Sequence, residues 1–222
     1  TIMPFHTNPK YHYYGEAYVA NIVYYILLCI IGVAISVFII YKKRKTYPVS
    51  TLVLFFLFAT GMSWNGEFAV LGLLNAYAYK TGVLEDIWAQ NLMGHMLLNA
   101  SVFPAVALIT VLYPKSFYKI IIISAILTAI DVLYVKLGVY EHHWWKFYMT
   151  FIGVIAYLSF LKFWFPRMIQ KRHGWTRFFT YYMVAMVMSH FPTPVLTLPG
   201  KKYFQMEWVS RICKNMYLTS IV

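Results

Sequence analysis

Apolar residues in this chain come in long runs, and polar residues fall mostly in the short gaps between them. The first run, from about Ala17 to Tyr41, is almost purely apolar after Asn21 and is stopped by Lys42-Lys43-Arg44-Lys45. The second extends from about Tyr47 to Tyr79, longer than the roughly 20 residues that one bilayer crossing needs. The third covers about Ile87 to Tyr113 and ends at Pro114-Lys115, and the fourth covers about Phe117 to Val139. The fifth runs from Phe147 to Phe165, closed by Pro166-Arg167, and the sixth from about Phe178 to Ser189. A seventh begins near Tyr203 and is still running at Val222. Runs of this length predict bilayer-spanning helices. The predicted fold is all-α, a polytopic transmembrane bundle of about seven helices forming a single domain over residues 1–222. No heptad pattern, low-complexity tract or fixed-period repeat divides it.

The gaps set the orientation. Alternating the runs gathers Lys42, Lys43, Arg44, Lys45, Lys115, Lys119, Arg167, Lys171, Arg172 and Arg177 on one side, and only Lys10, Lys80, Lys146, Lys201 and Lys202 on the other. Basic residues favour the cytoplasmic face, which puts the N-terminus outside. The tyrosine-rich lead-in to about Gly15 reads as an interfacial segment. The Glu85-Asp86 loop, the stretch Tyr140-Glu141-His142-His143-Trp144-Trp145-Lys146 and the proline-rich loop from Phe191 then share the outer face.

Composition agrees with this pattern. Charged residues make up 12% of the chain and hydrophobic ones 61%, with a mean hydropathy of +0.61. A soluble domain carries roughly a quarter charged residues. The net charge of +12 follows from topology, and with no basic patch on a soluble module nucleic acid is not expected as a partner. Cys29 and Cys213 each sit in an apolar run, a spacing that suits neither a disulfide framework nor a zinc site. No cleavable signal peptide is visible. A start at Thr1 and an apolar end at Val222 lead us to expect a longer parent protein.

Candidate chemistry lies in polar residues at membrane depth, which usually face a bundle interior or a wet cavity. Glu67 follows Trp64 by three positions, with Asn65 between them. Asn91, His95 and Asn99 recur every four residues and so share one helical face. Ser124, Thr128 and Asp131 form a second stripe. Glu207 and Arg211 are an i, i+4 pair beside Trp208. Each has a bland reading: Glu207 and Arg211 neutralise one another, the Asn and Ser/Thr stripes are interhelical glue, and His95 is a satisfied core histidine. Glu67 and Asp131 are harder to dismiss, because neither has a local cation.

The cluster at 140–146 offers Tyr140, Glu141, His142, His143 and Trp144 as ligand contacts at the outer face. It also fits an aromatic belt. Adjacent histidines diverge on any regular element, and the helical His-Glu-x-x-His spacing is absent, so no metal site is expected. Glycine-rich phosphate loops, a G-x-S-x-G elbow and aspartate-rich magnesium motifs are missing too. Lys214 lacks the surroundings of a retinal lysine. No cofactor is expected. The cluster reads as the rim of a site whose centre lies deeper, at Glu67, His95 and Asp131.

Phe103-Pro104, Leu112-Tyr113-Pro114-Lys115, Asp131, Tyr140, His143-Trp144 and the run Phe147-Tyr148-Met149-Thr150-Phe151 together resemble a family of small multi-pass membrane proteins of spore-forming Firmicutes with no assigned activity. The resemblance covers about residues 90 to 165 and implies a protein of the bacterial cytoplasmic membrane, with no catalytic residue carried across. In that family the acid at the Asp131 position is more often glutamate, and the second histidine here is an addition. The layout is also similar to that of integral-membrane terpene cyclases, with an acid near a tryptophan on the second helix and another on the last; Glu67 and Glu207 hold comparable places.

Three functions follow as expectations. In the first, an acid/base enzyme acts on an isoprenoid or lipid substrate, with Glu67, Asp131, Glu207 and His95 as catalytic groups. Trp64, Asn65, Asn91, Asn99, the outer cluster, Trp208 and Arg211 would contact substrate, and aromatic faces would steady a developing cation. In the second, a non-catalytic subunit or sensor uses the same pocket for a hydrophobic ligand. In the third, Glu67, His95 and Asp131 relay protons in a transporter. The bilayer is the one partner that all three share; a protein partner or a homo-oligomer is left open.

Overall fold

The computed structural model describes residues 19–83, 87–113, 117–170 and 174–190. In chain order it contains α1 (Val19–Lys43), α2 (Val49–Glu67) running into a π-helical turn (Phe68–Leu73), β1 (Tyr77–Tyr79), α3 (Ile87–Asn99) and α4 (Val102–Leu112). These are followed by α5 (Phe117–Lys136), β2 (Tyr140–His142), α6 (Phe147–Gln170) and α7 (Gly174–His190). Five stretches are long and apolar enough to cross a membrane: Asn21–Lys43, Val49–Leu73, Ala89–Leu112, Phe117–Lys136 and Phe147–Gln170. The architecture fits a multi-pass helical membrane protein. The sixth run forms α7, a helix of 17 residues that is not among these five, and the seventh run lies outside the described residues.

Successive elements alternate between two ends. At the basic end the Lys43 ammonium sits 4.2 Å from the Tyr113 ring centroid, and Lys119 Nζ donates to the Tyr113 carbonyl at 3.1 Å. The Tyr47 and Phe165 rings meet at 5.5 Å, which brings the ends of α1, α4, α5 and α6 together. The opposite end carries the two strands. Helix α1 packs on α4, α2 on α7 and α4, and α5 on α6. Leu27, Ile30 and Phe38 on α1 stay exposed, the face a lipid-contacting helix presents.

Three departures from the sequence expectation matter for the site. First, the surplus length of the second run is not helical. After Glu67 the helix widens into the π turn, Asn75 takes a left-handed conformation (φ 46°), and Tyr77–Tyr79 becomes a strand. It pairs antiparallel with β2, Tyr77 opposite His142 and Tyr79 opposite Tyr140. The all-α bundle therefore carries a small sheet at one end.

Second, the third run breaks at Ala100-Ser101 into α3 and α4. Pro104 falls in the first turn of α4, where the missing N–H costs least. Gly32 of α1 permits the break to approach: a Cβ there would lie 2.8 Å from the Ser101 carbonyl carbon. Third, α6 does not stop at Pro166 but continues to Gln170, because Trp164, Phe165 and Met168 of its last turns are buried in the core.

Candidate functional site

A cavity of about 220 Å³ opens near the sheet end, lined from every described helix except α7 and from both strands. Its location follows from local chain behaviour. The π turn after α2 adds a wide segment beside Glu67, a feature often found at functional sites. Gly66 and Gly153 lie on the wall, and a Cβ at either would meet nothing within 4 Å. The walls are mainly apolar and aromatic, with Glu67 from α2 and Asp131 from α5 as the acids among the described lining residues.

Glu67 is buried. Its Oε1 accepts the Tyr79 hydroxyl at 2.6 Å, and Tyr77 and Asn99 also hydrogen-bond to the carboxyl. Each partner is a donor, so the carboxyl is held in a fixed orientation by neutral groups. Gly94 sets how close β1 comes: a Cβ at that position would lie 2.6 Å from Tyr79 Cβ. Burial holds the phenols of Tyr79 and Tyr140 well above the ordinary tyrosine range, followed by the charge of Glu67 for Tyr79 and by Tyr77 for Tyr140. Both stay protonated at any physiological pH.

Asp131 is bound differently. His142 Nε2 lies 3.0 Å from its Oδ1, and Thr150 donates its hydroxyl to Oδ2 at 2.6 Å. The Trp145 indole in turn donates to Thr150 at 2.8 Å. One strand, one loop and two helices thus converge on one carboxyl. Sequence reading found Asp131 without a local cation; folding brings it His142 from eleven residues on.

His95 lies beside the cavity without lining it. Asn99 Nδ2 is 3.1 Å from His95 Nδ1, so Asn99 links this imidazole to Glu67. The expected common face of Asn91, His95 and Asn99 is present but serves three ends. Asn91 accepts the Tyr79 amide at 2.7 Å and holds the strand. Trp64 packs its ring on His95 at 5.6 Å and on His190 at 6.2 Å, away from the cavity. Asn65 donates to the Gly61 carbonyl at 2.8 Å and faces Met183 of α7.

The outer cluster divides the same way. Tyr140 lines the cavity and His142 reaches Asp131, whereas Glu141 points outward to pair with Lys80. His143 Nδ1 donates to the Asn75 carbonyl at 2.9 Å, and Trp144 donates to Leu74 at 2.8 Å. These two pin the turn into β1 and do not line the cavity. Glu207, Trp208 and Arg211 lie outside the described residues. No group of three metal-ligating side chains occurs among the described residues.

Sequence reasoning missed Tyr77, Tyr79, Tyr157 and Trp145 as cavity residues, and Thr150 as a partner of Asp131. The alternation Ala76-Tyr77-Ala78-Tyr79 at the end of an overlong run was the available signal for a strand. Comparison of the chain with family models, curated proteins and solved structures gives no match.

Proposed function

We propose that this is a multi-pass protein of the bacterial cytoplasmic membrane, basic end inward and N-terminus outside, whose cavity binds a hydrophobic molecule and exchanges a proton with it. The observation that carries this reading is the convergence of Glu67 and Asp131, from separate helices, on one apolar cavity. Placing acids in such a setting is unfavourable unless something is gained from them. Glu67 is the exchanging group: its carboxyl is aimed by three neutral donors and touches the cavity. Asp131, tied to His142 and Thr150, positions the opposite wall. The bacterial location rests on the resemblance over residues 90 to 165.

The test is isotopic. Protein in lipid nanodiscs, incubated in D₂O with an apolar extract of bacterial membranes, incorporates deuterium into carbon-bound positions of at least one species, read by mass spectrometry. Glu67→Gln abolishes the labelling. Identical labelling by wild type, Glu67→Gln and empty discs sinks the acid/base reading. A binding-only role, as a sensor or subunit, is the alternative, supported by the hydrogen bonds that engage both oxygens of Asp131.

A further inference from the structure

Of the described acids, Glu141 pairs with Lys80 and Asp131 with His142. Among the described residues, the groups that hydrogen-bond to Glu67 are neutral donors. No lysine or arginine occurs among the described residues lining the cavity, while five tyrosines, Trp145 and Phe103 do. Tyr77, Tyr79 and Tyr140 form one connected ring cluster, with centroid separations of 5.0–5.9 Å, and Trp145 joins it at 5.7 Å from Tyr77. An aromatic-walled cavity whose carboxyl has no basic partner among the described residues is matched by a positive charge wrapped in apolar groups. Ring faces attract such a charge, and a buried carboxylate is costly until a counter-ion joins it.

The geometry points to a lipophilic organic cation, an amine or quaternary ammonium, as the ligand of this cavity, with its nitrogen at Glu67. This rests on the ligand-binding part of the proposed function and narrows the ligand; proton exchange at Glu67 is no part of it. A phospholipid ammonium headgroup brings a phosphate as well, and the described lining offers that group no lysine or arginine. The ligand is therefore a phosphate-free amphiphile.

The test compares benzyltrimethylammonium with neopentylbenzene, its uncharged carbon isostere, binding to the protein in phosphatidylglycerol nanodiscs. Quenching of tryptophan fluorescence is the readout, with empty discs subtracted. Comparing variants for one ligand at a time removes differences in membrane partition. Glu67→Gln is expected to weaken the cation at least tenfold and to leave the isostere within twofold. Gly153→Leu, which fills open cavity space, is expected to weaken both. Circular dichroism checks that each variant is folded.

Isostere binding in wild type without cation binding, or a cation affinity unchanged by Glu67→Gln, overturns the cation assignment and leaves the hydrophobic-ligand reading standing. Binding of neither probe counts against both. Including phosphatidylethanolamine in the discs should leave the cation affinity unchanged; competition by that lipid would assign the site to a headgroup and overturn the phosphate-free ligand.

Discussion

At the basic end of the bundle, Phe58 stacks on Trp164 with centroids 5.6 Å apart, Phe55 meets Phe165 edge-on at 4.8 Å, and Leu108, Leu158 and Leu161 are fully buried between them. At the sheet end the buried rings carry hydroxyls with assigned partners. Tyr25 donates to the Val139 carbonyl at 2.5 Å, Tyr134 to the Tyr24 carbonyl at 2.8 Å, and Tyr79 to Glu67. Lipid tails are as apolar as leucine, so helices associate in a bilayer through close packing and directed hydrogen bonds. Each half relies mainly on one of these. Dispersion falls off steeply with distance and rewards filling every gap. A hydrogen bond fixes a distance and an angle between two atoms and leaves the space beside it to be filled or not. The cavity lies where tyrosine bonds set the spacing.

The sharpest way to break this contrast is to hollow the packed half. Phe58→Ala should cost about 3–5 kcal/mol, read as a large fall in unfolding midpoint in detergent. A loss below about 1 kcal/mol would mean that the aromatic stack is not what holds this end together.

Smaller and more local, Tyr25→Phe removes one directed bond and keeps the ring. It should cost about 1 kcal/mol and raise amide exchange around Val139 and β2, with Leu158 and Leu161 unaffected. Equal exchange gains in both halves would show that they do not behave as separate units.

The smallest effect is expected at the rim. The hydrogen bond from Lys80 holds the Glu141 carboxyl below its ordinary value of 4.5, against a smaller opposing push from burial. A lowered folded value means that the pair's contribution is complete above about pH 4.5 and is lost as the pH falls through that lowered value. For so exposed a pair it should amount to under about 0.5 kcal/mol. Glu141→Gln should remove this dependence in pH-stepped melts. An identical fall in stability for wild type and Glu141→Gln as the pH drops below 4.5 would contradict the pairing.

Much of the candidate site was legible residue by residue, and less so as an arrangement. Glu67 and Asp131 stood out because isolated acids in apolar runs are costly, and they do share a cavity. His95 stood out for its four-residue spacing with Asn91 and Asn99, yet it stands one residue back from the cavity, behind Asn99. The 140–146 stretch was marked by density of polar and aromatic side chains alone. Density does not reveal that Tyr140 and His142 turn inward on β2 while Glu141 turns out. Tyr77 and Tyr79 escaped notice because a three-residue strand at the end of a long apolar run has the composition of the helix before it.

Residue identities alone marked the five stretches that are long and apolar enough to span a bilayer, though not that the sixth run falls short, and they showed that basic residues cluster in alternate gaps. They also marked which acids fall within apolar runs, because transfer of side chains into lipid depends on what each residue is. Tertiary structure decided that β1 pairs with β2, that His142 meets Asp131, and that Glu67 is left among neutral donors beside an open cavity. Those outcomes depend on separations of a few ångströms between segments distant in sequence. Contacts such as Gly94 against Tyr79 set those separations, and periodicity does not encode them.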